Sequence, residues 1–197
     1  MPTSANRKLI LGSTSPYRRE LLTRLGINFK VVAPQVDEMQ LPQETPRQLA
    51  CRLAMAKARA VAALHPQAIV IGSDQVADLN GEALGKPGSL AVARAQLRRM
   101  GGQAVTFQTA VAVVCKATQF AQMDLAQVLV KFRPLGEAEI EAYLLAEQPY
   151  DCAGSAKSEG LGIVLLESIH NDDPTALVGL PLIRTCQMLR AAGMVLL

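Results

Sequence analysis

KLILGSTSPYRRELLTRLG, residues 8–26, sets the frame for the rest of the chain. KLIL is a short apolar run closed by Gly12, STSP is a polar turn, and YRRELLTRLG places its apolar residues at helical spacing. The stretch therefore predicts strand, loop, helix. Ser15 can cap the helix, Pro16 is pre-set for its first position, and Gly26 suits a left-handed stop. Such a loop points backbone N–H groups, the hydroxyls of Ser13, Thr14 and Ser15 and the guanidiniums of Arg18 and Arg19 toward an anion, which suits phosphate oxygens. Taken alone, the segment reads equally well as a capping serine beside two solvated arginines.

The same alternation continues outward. INFKVVAP (27–34) reads as a second strand, and TPRQLACRLAMAKARAVAALHP (45–66) as a long helix opened by Thr45, Pro46 and Gln48 in capping-box register. AIVIGSD (68–74) reads as a buried strand whose polar end projects from the sheet. Asn80 and Gly81 then form the turn pair of a hairpin arm leading to Gly85, Lys86 and Pro87. Residues 89–102 read as a helix, 104–115 and 120–134 as a long antiparallel pair, 137–149 as a helix, 162–169 as a strand and 181–193 as a closing helix. Strands alternating with helices, plus a hairpin and an antiparallel pair, predict an α/β fold with a mixed twisted sheet flanked by helices and a cleft between two lobes. No repeat or linker divides residues 1–197, so a single domain is expected.

Composition agrees with a globular chain. Of 197 residues, 50% are hydrophobic and 19% charged, so no disulfide or metal staple is required to close a core. The net charge of +3 and the 4% aromatic content fall short of a nucleic-acid groove, and small anionic substrates fit better. Cys51, Cys115, Cys152 and Cys186 are too dispersed for a zinc site or a disulfide framework and read as buried thiols of a cytosolic protein. MPTSANRK leads into an apolar stretch too short for a signal-peptide core, and no later apolar run is long enough to span a membrane. A homodimer is the default for any oligomer.

Asp74, at the end of a buried run, is placed over the usual ligand crevice of an α/β sheet, where a carboxylate calls for a metal, a cation or a water; a turn-forming aspartate is the alternative. Asp37 and Glu38 could add a second carboxylate to that cleft or form a solvated acidic loop. Lys57 lies in a helix whose other face is mostly alanine, leucine and valine, Lys86 in the tight GKP, and Lys157 in a glycine-bounded loop. Any single lysine is more often surface than ligand.

STSPYRRELL, VDE (36–38), RLAMAKA (52–58), IGSDQV (71–76), GEALGKP (81–87), FRPLGEAEIEAY (132–143), CAGSAKSEGLG (152–162) and VGLPL (178–182) together resemble, in order and spacing, the Maf family of nucleoside triphosphate pyrophosphatases. The resemblance spans nearly the whole chain. It implies the α/β cleft architecture of house-cleaning nucleotide pyrophosphatases and hydrolysis of a nucleoside triphosphate to monophosphate and pyrophosphate with a divalent cation, Mg²⁺ or Mn²⁺. It places the proton-accepting aspartate on Asp74, the motif serine and arginines on Ser13, Arg18 and Arg19, the acidic loop residue on Glu38 and the phosphate-binding lysines on Lys57 and Lys86. Metal would be held by Asp74 or Glu38. One departure is Ala56, where family members commonly carry glutamate before the lysine.

Three positions distinguish branches within the resemblance. Tyr17, Gln75 and Glu159 stand where the branch acting on dTTP and UTP typically shows arginine, threonine and glutamine, and this pattern is similar to the branch acting on 7-methyl-GTP. The chemistry is coherent, because N7-methylation makes guanine cationic: an aromatic face at Tyr17 can attract it and a carboxylate at Glu159 can accept its N–H donors. The structural alternative is that Tyr17 is a half-buried helix residue and Glu159 a loop charge. The rivals are the same reaction on dTTP, UTP or another modified nucleotide, and a non-catalytic nucleotide-sensing regulator of cell division.

Overall fold

A computed structural model describes residues 7–197. The expectation about the extreme N-terminus, over residues 1–6, lies outside the described residues. Among the described residues, seven strands form one mixed sheet: β1 (Leu9–Gly12), β2 (Phe29–Val31), β3 (Ile69–Leu79), β4 (Glu82–Leu84), β5 (Ala104–Cys115), β6 (Phe120–Phe132) and β7 (Leu166–His170). Their order is β2-β1-β3-β5-β6-β7, with β4 paired to the far end of β3. β1 is parallel to both β2 and β3, and every other pairing is antiparallel. Five helices flank it: α1 (Pro16–Thr23), α2 (Pro46–Leu64), α3 (Leu90–Met100), α4 (Glu137–Glu147) and α5 (Leu182–Ala191).

Helix starts follow local chemistry. Ser15 caps α1 ahead of Pro16, Thr45 and Gln48 close a full capping box on α2, and Ser89 caps α3. Asn80 and Gly81 both adopt positive φ, as the primed turn between β3 and β4 requires.

Strand alternation sorts the core into layers. Ile10, Val70, Ala110, Ala112 and Val114 face α2, while Leu9, Leu11, Ile69, Ile71, Val111 and Val113 face Leu21, Leu22, Leu182 and Leu189 of α1 and α5. A third cluster joins the far ends of β3, β5 and β6 to α3 and α4 around Phe107, Phe132 and Tyr143. These are the two lobes: a three-layer part around the parallel strands and a distal arm. Gly72 faces α2, and a Cβ there would meet the Ala54 carbonyl oxygen and, at 2.5 Å, the Ala58 nitrogen, so α2 rests directly on the β3 backbone.

Three expectations need correction. Asp74 is not at the end of a strand: β3 runs on through Leu79, because Ser73, Asp74 and Gln75 all find polar partners and their backbones pair with Val111, Ala110 and Thr109. The strand expected over 162–169 begins only at Leu166, and Leu161–Leu165 form a helical turn whose Val164 and Leu165 carbonyls accept from Arg133. β2 is three residues long at a sheet edge. No helix among the described residues is long and apolar enough to cross a membrane.

Candidate active site

A cleft of about 390 Å³ opens between the lobes, lined by Ser13, Ser15, Arg18, Glu38, Lys57, Asp74 and Lys86. Its floor follows from strand alternation in β3. Asp74 points to the α2 side and Ser73 and Gln75 to the other, so one strand serves two walls.

On the α2 side, Lys57 belongs to the buried stripe of its helix, in register with Leu53, Ala54 and Val61 rather than opposite them. A lysine only 5% exposed needs charged partners. It has two: Asp74 Oδ1 at 2.7 Å, on a residue 7% exposed, and Glu38 Oε1 at 2.9 Å, on a side chain 59% exposed. Glu38 is brought there by its loop. Arg52 grips Glu44 with Nε at 2.6 Å and Nη2 at 2.8 Å and donates to the Met39 carbonyl, while Glu44 accepts from the Leu41 nitrogen. The Arg52 hydrogen bonds hold the Glu44 pKa below its ordinary value. Asp37 turns away from the cleft and accepts from the Met39 nitrogen.

Arg18 lines the cleft from the first turn of α1. Its Nε donates to the Gly179 carbonyl at 2.8 Å and its Nη1 reaches Ser13 Oγ at 3.5 Å. Burial lowers the Arg18 pKa from its ordinary value, opposed by the carboxylates of Asp74 and Glu38. The guanidinium remains charged. Arg19, one step of about 100° round the helix, is not brought to this cleft: it is exposed and lines a shallow depression with Glu20, Thr23 and Val31. Lys86, exposed on the hairpin arm, lines the cleft from the distal lobe.

Two carboxylates meeting on one ammonium also suit a divalent cation. Among the described residues no group of three or more His, Cys, Asp or Glu side chains clusters to cage a metal. A pair is nevertheless the donor set that Mg²⁺ uses when water and substrate phosphates complete its octahedron. Asp74 and Glu38 therefore fit the group that the sequence implies.

A recess of about 50 Å³ adjoins the cleft and shares Ser15, Arg18, Gln75 and Lys86 with it; Tyr17, Cys152, Glu159 and Val178 are among its other walls. Tyr17 donates to Asp151 Oδ1 at 3.2 Å, and Lys157 Nζ stands 5.9 Å from its ring centroid. Burial pushes the Tyr17 phenol pKa up, so it stays protonated. Glu159 is solvent-exposed as a residue, yet crowding around its carboxyl raises its pKa above the ordinary value. Gln75 does not present its amide nitrogen to the recess: Nε2 faces Thr109 Oγ1, Ala176 O and Leu177 O at 2.9 to 3.0 Å.

Two features lay outside the sequence reading. Glu147 braces the loop that carries Glu159, accepting from Lys157 Nζ and from the Leu161 nitrogen, both at 2.6 Å. The turn over 173–182 supplies the Gly179 carbonyl that holds Arg18; the Asp-x-Thr of Asp173 and Thr175 was its available signal.

Comparison with known proteins adds lineage to this geometry. A protein of Albidiferax ferrireducens named "7-methyl-GTP pyrophosphatase" is 72% identical over 98% of this chain and 97% of its own, and one of Polaromonas sp. with the same name is 70% identical over 98% and 89%. The solved HAM1 protein of Coxiella burnetii aligns with a TM-score of 0.46 and 12% identity, over 64% of this chain and 73% of that one, too distant to bear on function. The family model described as "Maf-like protein" matches residues 8–192, and with relatives of this identity over nearly the full length, the chain belongs to the Maf family.

Proposed function

We propose that this protein hydrolyses a nucleoside triphosphate to its monophosphate and pyrophosphate, with 7-methyl-GTP as the substrate. The observation that carries the reading is the buried Asp74 at the floor of a cleft lined by the cations Arg18, Lys57 and Lys86 and by Glu38, beside a recess holding Tyr17 and Glu159. The names of the two bacterial relatives support the same substrate.

In this reading the triphosphate lies in the cleft and the base in the recess. Arg18, with Nε anchored, turns its remaining N–H groups to phosphate oxygens; Lys57 and Lys86 add point charges, and Ser13 a hydroxyl. Asp74 Oδ2 orients a water in line with the α-phosphorus and takes its proton as the new P–O bond forms. The bond from the α-phosphorus to its bridging oxygen breaks, and the electron pair leaves on pyrophosphate. Charge moving to that leaving group is met by preorganised cations, the largest lever in phosphoryl transfer. A divalent cation bound by Asp74 and Glu38 would supply further charge neutralisation and polarise a phosphoryl oxygen.

Base choice rests on charge. The Tyr17 ring already lies within the range of cation attraction toward Lys157, a contribution of about 0.5–1 kcal/mol at exposed sites and about 2 kcal/mol when desolvated. The Glu159 carboxylate gains from a cationic partner such as N7-methylguanine. Gln75 acts on the base by fixing the wall at Ala176 and Leu177 rather than by offering its amide nitrogen. The cytosol is the compartment this reading implies, in keeping with four unpaired cysteines.

The test is pyrophosphate release with Mg²⁺ or Mn²⁺ across 7-methyl-GTP, GTP, dTTP, UTP, CTP and ATP, repeated with Tyr17→Ala and Glu159→Gln. A preference for 7-methyl-GTP that both substitutions erode is expected. Preference for dTTP or UTP overturns the base assignment and keeps the reaction. No turnover on any nucleotide overturns the reaction and favours a sensing role.

A further inference from the structure

The turn over 173–182 touches both compartments of the site. Leu177, Val178 and Gly179 line the recess, while the Gly179 carbonyl accepts from Arg18 Nε at 2.8 Å and lies 3.0 Å from Ser73 Oγ, next to Asp74. Gly179 reaches this pose with φ of 119°, a backbone shape glycine tolerates. A Cβ there would sit 3.5 Å from Arg18 Nε.

One hydroxyl closes the neck of this turn. Thr175 Oγ1 lies 2.8 Å from the Leu180 carbonyl and 3.1 Å from Asp173 Oδ1, and it accepts from the Leu182 nitrogen at 2.8 Å. Asp173 is fully buried and accepts from the Arg184 nitrogen, tying the turn to the start of α5. Thr109 Oγ1 and Gln75 Nε2 hold the Ala176 carbonyl from the sheet side, each at 3.0 Å. The turn is thus fixed at its neck and along one flank, and its apex oxygen fixes Arg18.

We propose that Thr175 is a positioning residue for the triphosphate, acting on Arg18 through the Gly179 carbonyl. This rests on the assignment of Arg18 to phosphate made above. A guanidinium held at Nε keeps its planar fork in one orientation, so the ordering cost of binding a phosphate is met before the ligand arrives. Released from Gly179, the same side chain recovers its rotamers, and a charge displaced by about 1 Å can cost ~100-fold in rate.

A double-mutant cycle tests it, because a residue that acts only through Arg18 has nothing to act on once Arg18 is gone. Wild type, Thr175→Val, Arg18→Ala and the double variant are compared by kcat and KM for pyrophosphate release and by calorimetric affinity for inorganic triphosphate. Thr175→Val is expected to weaken triphosphate affinity about tenfold with Arg18 present and less than about twofold with Arg18→Ala, and Thr175→Ser to restore it. Equal losses in both backgrounds overturn the proposal. Should Thr175→Val fail to fold, Gly179→Ala runs the same cycle at the apex. If wild type releases no pyrophosphate, the proposed activity falls, while the affinity cycle still decides the role of the turn.

Discussion

Gly72→Ala probes the close seating of α2 on β3. The new methyl carbon would lie 2.5 Å from the Ala58 nitrogen and 2.9 Å from the Ala58 Cβ, with the Ala54 carbonyl oxygen also within contact. That is about 1 Å short of ordinary van der Waals separation. Two of those neighbours are helix backbone, so no rotamer change relieves them, and α2 must lift from β3 by about that distance. Overpacking of a dense core costs about 1–3 kcal/mol, and a backbone clash belongs at the upper end. For a domain of this size about 3 kcal/mol lowers Tm by about 6–12 °C. Urea unfolding should show the midpoint falling with an unchanged slope. Lys57 precedes Ala58 on the same helix, so the folded variant should also lose ~100-fold in pyrophosphate release, the cost of a misplaced charge. Gly12→Ala, whose nearest backbone neighbour is 3.2 Å away, is the milder control. A Gly72→Ala protein within about 0.5 kcal/mol of wild type, a change typical of uneventful surface sites, would refute this account of how α2 is seated.

Asp74→Asn should leave the fold cooperative and cut kcat by at least ~100-fold, the scale of a lost general base; retention of most turnover with metal present removes Asp74 from that role. Glu147 has its pKa lowered by the Lys157 hydrogen bond, so its stabilising contribution is present above about pH 4.3, the ordinary glutamate value, and is lost as pH falls through its lowered folded value. Glu147→Gln should therefore flatten the acid limb of a stability–pH profile, and an unchanged limb would show that the brace on the Glu159 loop contributes nothing. Burial pushes the Cys152 thiol up to about 12, so at pH 8 iodoacetamide should label it far more slowly than an unstructured cysteine, as mass spectrometry of the peptide would show.

Features governed by neighbours in sequence were legible without the structure. The caps at Ser15, Thr45 and Ser89 and the Asn80–Gly81 turn depend on a few adjacent residues, and they form as the sequence predicts. The sequence predicts too short a β3 because Ser73, Asp74 and Gln75 break its apolar run, and their partners lie 17 to 106 residues away in sequence. GIVLLESI reads as strand from composition alone, since a short apolar run does not reveal where pairing with β6 starts. Arg18 and Arg19 look alike in sequence, and only the helix phase separates the one in the cleft from the one outside it. Ser13 and Asp74 stand out in the sequence by position, Glu38, Lys57 and Lys86 gain weight only from family resemblance, and the structure brings all five to one cleft. Thr175 was invisible because its effect passes through a carbonyl, a group that every residue carries.

β3 and β5 run unbroken through both lobes, pairing from Val70↔Val114 to Asp78↔Thr106. The lobes therefore share a girder rather than a hinge, and the gap between them is set by sheet twist and not by rigid-body rotation. Adaptation to nucleotides of different size must come from the loops around the rim. Asp74, midway along that girder, should be among the last amides to exchange with deuterated solvent, so the chemistry is anchored where the chain opens least.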